Sequence, residues 1–128
     1  MKKSFSCSLI AFAFLAGCST MDYATDEHED KALQELGVAV RSAENENTGG
    51  LIDHTEKAKQ HLIEENREHP YTHPFVSIYG QFPKAEHDMG TFEEMDKAIE
   101  EAKKGNLIKA AEAARRASVH LKQKARSK

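Results

Sequence analysis

From about residue 26 onward, apolar side chains recur at three- and four-residue spacing in four separate stretches. Because a helix turns once in about 3.6 residues, this spacing gathers them on one helical face. The first stretch spans about 26–46, with Thr25 as its N-cap and Leu33, Leu36, Val40 and Ala43 on its stripe. The second spans about 51–67 along Leu51, Thr55, Ala58 and Leu62. The third spans about 91–104, with Thr91 as cap and Phe92, Met95, Ile99 and Ala102 as stripe. The fourth, about 107–124, turns Leu107, Ala110, Ala111, Ala114, Ala117 and Leu121 inward. Breakers at 45–50 and at Lys104-Gly105-Asn106 join these stretches into two antiparallel helical hairpins. Between the hairpins, residues 69–90 hold all three prolines, Pro70, Pro74 and Pro83, together with Tyr71, Phe75, Tyr79 and Phe82. A long crossover that lays its aromatics on the helices is expected there. Two hairpins with apolar seams close most simply into an all-α, antiparallel four-helix bundle, a single domain over 25–128.

The hairpins look like an imperfect repeat. Asp30-Lys31-Ala32-Leu33-Gln34-Glu35-Leu36 aligns with Asp96-Lys97-Ala98-Ile99-Glu100-Glu101-Ala102, 66 positions on. Ala58, His61 and Leu62 align with Ala117, His120 and Leu121, 59 positions on. The difference predicts seven extra residues in the first hairpin, about two helical turns.

The N-terminus follows another pattern. Met1-Lys2-Lys3 is a basic start, and residues 9–16 form an apolar run too short to span a bilayer. Small residues then lead to a cut site, as in a secretory signal peptide. Leu15-Ala16-Gly17-Cys18 resembles the lipobox of bacterial lipoproteins. The resemblance implies that residues 1–17 are removed, that Cys18 becomes the lipidated first residue, and that 18–24 serve as a tether. Several acyl chains give stable membrane anchoring where one would not. Ser19, in place of the aspartate that tends to mark inner-membrane retention in this group, implies the outer membrane, facing the periplasm.

This assignment changes the chemistry available. Cys7 leaves with the leader and Cys18 carries lipid, so thiol catalysis and zinc–thiolate sites are excluded. Loss of Lys2 and Lys3 takes the formal charge from −3 to −5, which argues against a nucleic-acid partner. No Gly-x-Ser-x-Gly elbow, phosphate-binding glycine loop or Cys-x-x-Cys-His haem motif is present, and a non-enzymatic protein is expected.

Histidine is the remaining chemical lead. All seven histidines follow Cys18, and neutral imidazole is a common metal ligand. A site of nitrogen and oxygen donors suits copper, nickel or zinc. On the second helix His54, His61, Glu65 and Glu68 fall on one strip beside the apolar seam. His61 and Glu65, four apart, reach one ion together, whereas His54 is about 10.5 Å from His61 along the axis and suits a different ion. His120 holds the equivalent place on the fourth helix, flanked by Arg116 and Lys124, whose charges disfavour a metal cation. His69, His73 and His87 cluster around the crossover with Glu86 and Asp88. His28 stands among Asp26, Glu27, Glu29 and Asp30, which suit weak binding of hard cations. Met95 with His120 offers a b-type haem pair, although Met95 fits the apolar stripe.

Two alanine-rich hairpins with histidine at roughly heptad spacing resemble the small metal-binding protein family of periplasmic four-helix bundles. The resemblance is carried by residues 54–62 (His-Thr-Glu-Lys-Ala-Lys-Gln-His-Leu), by residues 110–121 ending in His120-Leu121, and by the turn at 104–106. It implies divalent-metal binding through histidines on helix surfaces. The family is far richer in histidine, and this chain adds the lipobox and the aromatic crossover. The sequence thus points to an envelope lipoprotein that binds or buffers divalent transition metal through His54, His61 and Glu65, with His69, His73, His87 and His120 as further candidates. The alternative is a structural lipoprotein that docks an envelope partner through the aromatic crossover or the basic last helix.

Overall fold

Helix-forming residues and well-placed breakers produce four helices among the residues described in the computed structural model, 27–69 and 83–127. They are α1 (Glu27–Glu44), α2 (Thr48–Glu68), α3 (Pro83–Lys103) and α4 (Leu107–Arg126). Cys18 and the leader lie outside the described residues, as do Thr25, Tyr71, His73, Phe75, Tyr79 and Phe82. Helices α1 and α2 form one hairpin and α3 and α4 the other; α1 also packs on α4, and α2 on α3. Lys124 near the end of α4 meets Glu29 at the start of α1, Glu65 near the end of α2 and Asp88 near the start of α3. One pole therefore gathers two helix starts and two helix ends, so neighbouring helices run antiparallel.

The buried positions follow a heptad rhythm. They are 29, 32, 36, 39 and 43 on α1, and 51, 55, 58, 62 and 65 on α2. On α4 the seam is 110, 114, 117, 121 and 124. Alternating steps of three and four are the spacing of helices packed knobs-into-holes. Alanine supplies much of the core, with Leu36, Leu51, Leu62, Met95 and Leu121 as its large side chains. Met95 is fully buried in that core. On α1 the seam is Ala32, Leu36, Ala39 and Ala43, whereas Leu33 and Val40 are only half-buried at its edge.

The repeat is more regular than the sequence alignment suggests. Buried positions 88, 91, 95, 98 and 102 on α3 each lie 59 after a buried position of α1. The α2 and α4 seams are related by the same 59. The turns agree: Asn47 N–H donates to Ser42 O and Asn106 N–H to Glu101 O, both at 2.8 Å. Glu46 and Gly105, again 59 apart, carry positive φ values of 56° and 80°. The seven-residue insertion is therefore corrected to none. A shift of seven keeps a heptad stripe in phase, so the 66-residue alignment matched faces but not turns.

The start of α3 is a second correction. The crossover expected over 69–90 ends by 83, and Thr91 is a buried mid-helix residue rather than a cap. Proline at the first helical position leaves no N–H unpaired. Thr91 Oγ1 donates to His87 O at 2.7 Å, four residues back, which satisfies a hydroxyl inside a helix. At the other boundary α2 begins at Thr48, because the Asn47 side chain accepts from Gly50 N–H at 2.9 Å. A Cβ on Gly50 would lie 2.6 Å from Asn47 Nδ2 and 2.9 Å from Ser42 Oγ, so a side chain there would displace the capping Asn47.

Candidate metal centre

The heptad seam decides which side chains are free for chemistry. On α2 the seam passes through Ala58, Leu62 and Glu65, so Glu65 points inward rather than toward His61. Its carboxylate accepts from Lys124 Nζ at 2.5 Å, and the expected His61/Glu65 pair is not formed. Glu64, one residue earlier, takes that place on the outer edge, with its Oε2 3.9 Å from His61 Nδ1.

The partner across the hairpin is His28, near the start of α1. Its Nδ1 lies 3.5 Å from Glu64 Oε2 and its Nε2 3.4 Å from Glu68 Oε2. The rings of His28 and His61 are 5.8 Å apart, tilted by 40°. One ligand atom from each of His28, His61 and Glu64 lies within 4.8 Å of the others. Donors sharing an ion at about 2.0–2.2 Å stand roughly 3–4 Å apart, so modest side-chain turns bring this set onto one metal. His61 Nδ1 is buried without a hydrogen-bond partner among the described residues, a lone pair placed for a ligand. Glu68 on the far side of the His28 ring is placed to favour the proton on Nε2 and present Nδ1 inward, the usual carboxylate support of a ligating histidine. An open groove of about 380 Å³ runs beside His61 along Asp53, Lys57, Gln60 and Glu64. Lys31 competes for the same field: its hydrogen bond to Glu27 raises its pKa above the usual lysine value, and the charge of Glu64 adds to this.

The remaining candidates are dispersed. His54 Nδ1 donates to Glu35 Oε2 at 2.6 Å, apart from the His28/His61/Glu64 set. His69 closes α2 as its C-cap, its N–H donating to Glu65 O at 2.8 Å, and its side chain is exposed. His87 and His120 come together on the second hairpin, with ring centres 5.9 Å apart and a tilt of 41°. The cations expected to oppose metal at His120 are themselves neutralised: Arg116 pairs with Glu94 at 2.9 Å, and Lys124 is buried among carboxylates. Sequence reasoning missed Glu64 altogether, and it set His28 among its acidic neighbours as a weak site for hard cations rather than beside His61. The signal was available, since His28 and His61 are 33 residues apart and so are His87 and His120. A larger open hollow, about 580 Å³, lies near the turns, lined by Ala43, Leu107, Ile108, Ala111 and Arg115, away from this histidine set.

No match was found among curated proteins or among solved structures. The model of the small metal-binding protein family matches residues 2–124. That family is named for metal binding. With a match over nearly the whole length of a four-helix chain, this protein belongs to the small metal-binding protein family.

Proposed function

We propose that the protein is a cell-envelope lipoprotein that binds or buffers a divalent transition metal, copper, nickel or zinc, with His28, His61 and Glu64 as the ligands of its first site. The observation that carries this reading is the convergence of two imidazoles and a carboxylate from both arms of one hairpin. Two neutral nitrogens and one anionic oxygen suit a divalent ion of intermediate softness, with remaining positions for water. Glu68 orients His28, and family membership supports the same chemistry. His54, set on its own by Glu35, is a candidate for weaker, separate binding.

Calorimetric titration of the protein with copper, nickel and zinc tests the reading. Binding at defined stoichiometry is expected, with a rise in melting temperature. At a metal concentration 100 times Kd the gain is about 2.7 kcal/mol. Acid should reverse it, because protonated imidazole does not ligate. A His28→Ala/His61→Ala variant should lose the stabilisation while keeping its helical signal. Weak, unsaturable heats with all three metals would sink the proposal. The membrane link is tested separately: Cys18→Ser should move the protein from the membrane fraction to the soluble fraction, and an unchanged distribution would refute lipid anchoring there.

A further inference from the structure

The 59-residue repeat copies the histidine pair as well as the core. His28 corresponds to His87 and His61 to His120, and the two pairs share ring separation and tilt within 0.1 Å and 1°. The surroundings differ. Glu64 corresponds to Gln123, Glu68 to Ser127 and Lys31 to Gly90. The second pair therefore has both imidazoles and none of the three charged side chains that frame the first.

Gly90 has a specific consequence. A Cβ there would lie 3.1 Å from Cε1 and Nδ1 of His120, so the ring packs closely on the α3 backbone and a side chain at 90 would push it aside by a few tenths of an ångström. His120 Nδ1 is buried and has no hydrogen-bond partner among the described residues. Two imidazoles holding one ion at about 2 Å from each nitrogen have ring centres roughly 5 Å apart at a tetrahedral angle and roughly 6.3 Å apart when linear. The observed 5.9 Å lies between these limits and nearer the linear one, an opened angle rather than a tetrahedral one. Nearby Asp88 supplies no ligand, because its carboxylate oxygens face Lys124 and Asn66.

We propose that His87 and His120 form a second metal site, built from neutral imidazole alone, that takes monovalent copper. The proposal extends the metal-binding reading of the first hairpin to its copy. A divalent ion seeks three or more donors and gains from an anionic one, which the first pair has and the second lacks. Copper(I), with a single charge and a filled d shell, is satisfied by two nitrogen donors at an angle opened toward linear, as the ring separation here gives. Imidazole suits copper. The two hairpins thus divide metals by charge, with the carboxylate-bearing site for divalent ions and the neutral site for copper(I).

The test is titration of the full chain with copper(I), under exclusion of air and against a competing chromogenic chelator, beside titration with zinc. The proteins are wild type, His28→Gln/His61→Gln, His87→Gln/His120→Gln and Gly90→Ala. One equivalent of copper(I) should bind wild type and the first double variant, and be lost from the second. Zinc should show the reverse pattern. Gly90→Ala, which removes a helix-interior glycine and should preserve helicity, should still weaken copper(I) binding about tenfold by displacing the His120 ring. In wild type, copper(I) should shift the ring resonances of His87 and His120 and leave those of His28 and His61 in place. Copper(I) binding unchanged in a folded His87→Gln/His120→Gln variant, or ring shifts confined to the first hairpin, would overturn the proposal while leaving the divalent site standing. Absence of zinc binding with copper(I) retained would instead overturn the divalent site alone.

Discussion

Glu46 holds a φ of 56° at the α1–α2 turn, where the matching turn of the second hairpin places Gly105 at 80°. A side chain in this left-handed region crowds its own carbonyl, at a cost of roughly 1–2 kcal/mol that glycine avoids. Glycine also gives the unfolded chain more freedom, which offsets part of the gain. Glu46→Gly should therefore stabilise the protein by about 0.5–1 kcal/mol and raise Tm by roughly 2–6 °C in a thermal melt. An unchanged or lower Tm would contradict the strain argument. The same scale explains the displaced ligand. Glu64 and Glu65 are adjacent carboxylates, and four-residue spacing from His61 favoured Glu65. Only the seam distinguishes them, and it ends in a charged residue that hydrophobic patterning does not reveal. His28 was legible as a histidine but not as a partner, because its neighbours in sequence are acids while its neighbour in space lies 33 residues away.

At the level of elements, the apolar stripes of α2 and α4 were legible because leucine and alanine recur there at clear spacing. On α1 the hydrophobic pattern points one edge too far round. Leu33 and Val40 outweigh Ala32 and Ala39 in hydrophobicity, yet the small residues face inward and let the helices approach closely. The first eight residues of α3 were hidden by Pro83 and Gly90, both breakers on average. Proline is harmless at a first helical position. Glycine at 90 is tolerated where an imidazole from α4 covers it. The hairpin pairing followed directly from the two breaker clusters. Its true register required the turn hydrogen bonds, since heptad periodicity alone repeats every seven residues.

For the whole molecule, the organising feature is the pole where Lys124, 2% exposed, meets Glu65 at 2.5 Å, Asp88 at 2.9 Å and Glu29 at 3.9 Å. Asn66 joins them, donating to Asp88 Oδ2 at 2.7 Å. All four helices contribute, so removing the lysine leaves buried carboxylates without their cation. Lys124→Ala should cost about 3–5 kcal/mol, the usual penalty for breaking a buried charge pair, and lower Tm by more than roughly 10 °C. Adding Glu65→Gln should recover part of the loss. A Tm within a few degrees of wild type would show that the pole is hydrated and contributes little.

The placement of histidines on the outer edge of each hairpin, beside a seam that alone carries the packing, separates inheritance of the fold from inheritance of the chemistry. A duplicated hairpin must keep its inward positions to remain a bundle, but its edge positions are open to drift. One copy is then able to carry glutamine and serine where the other carries acids without endangering the scaffold, and the divided metal preference proposed above needs only point changes rather than rebuilding.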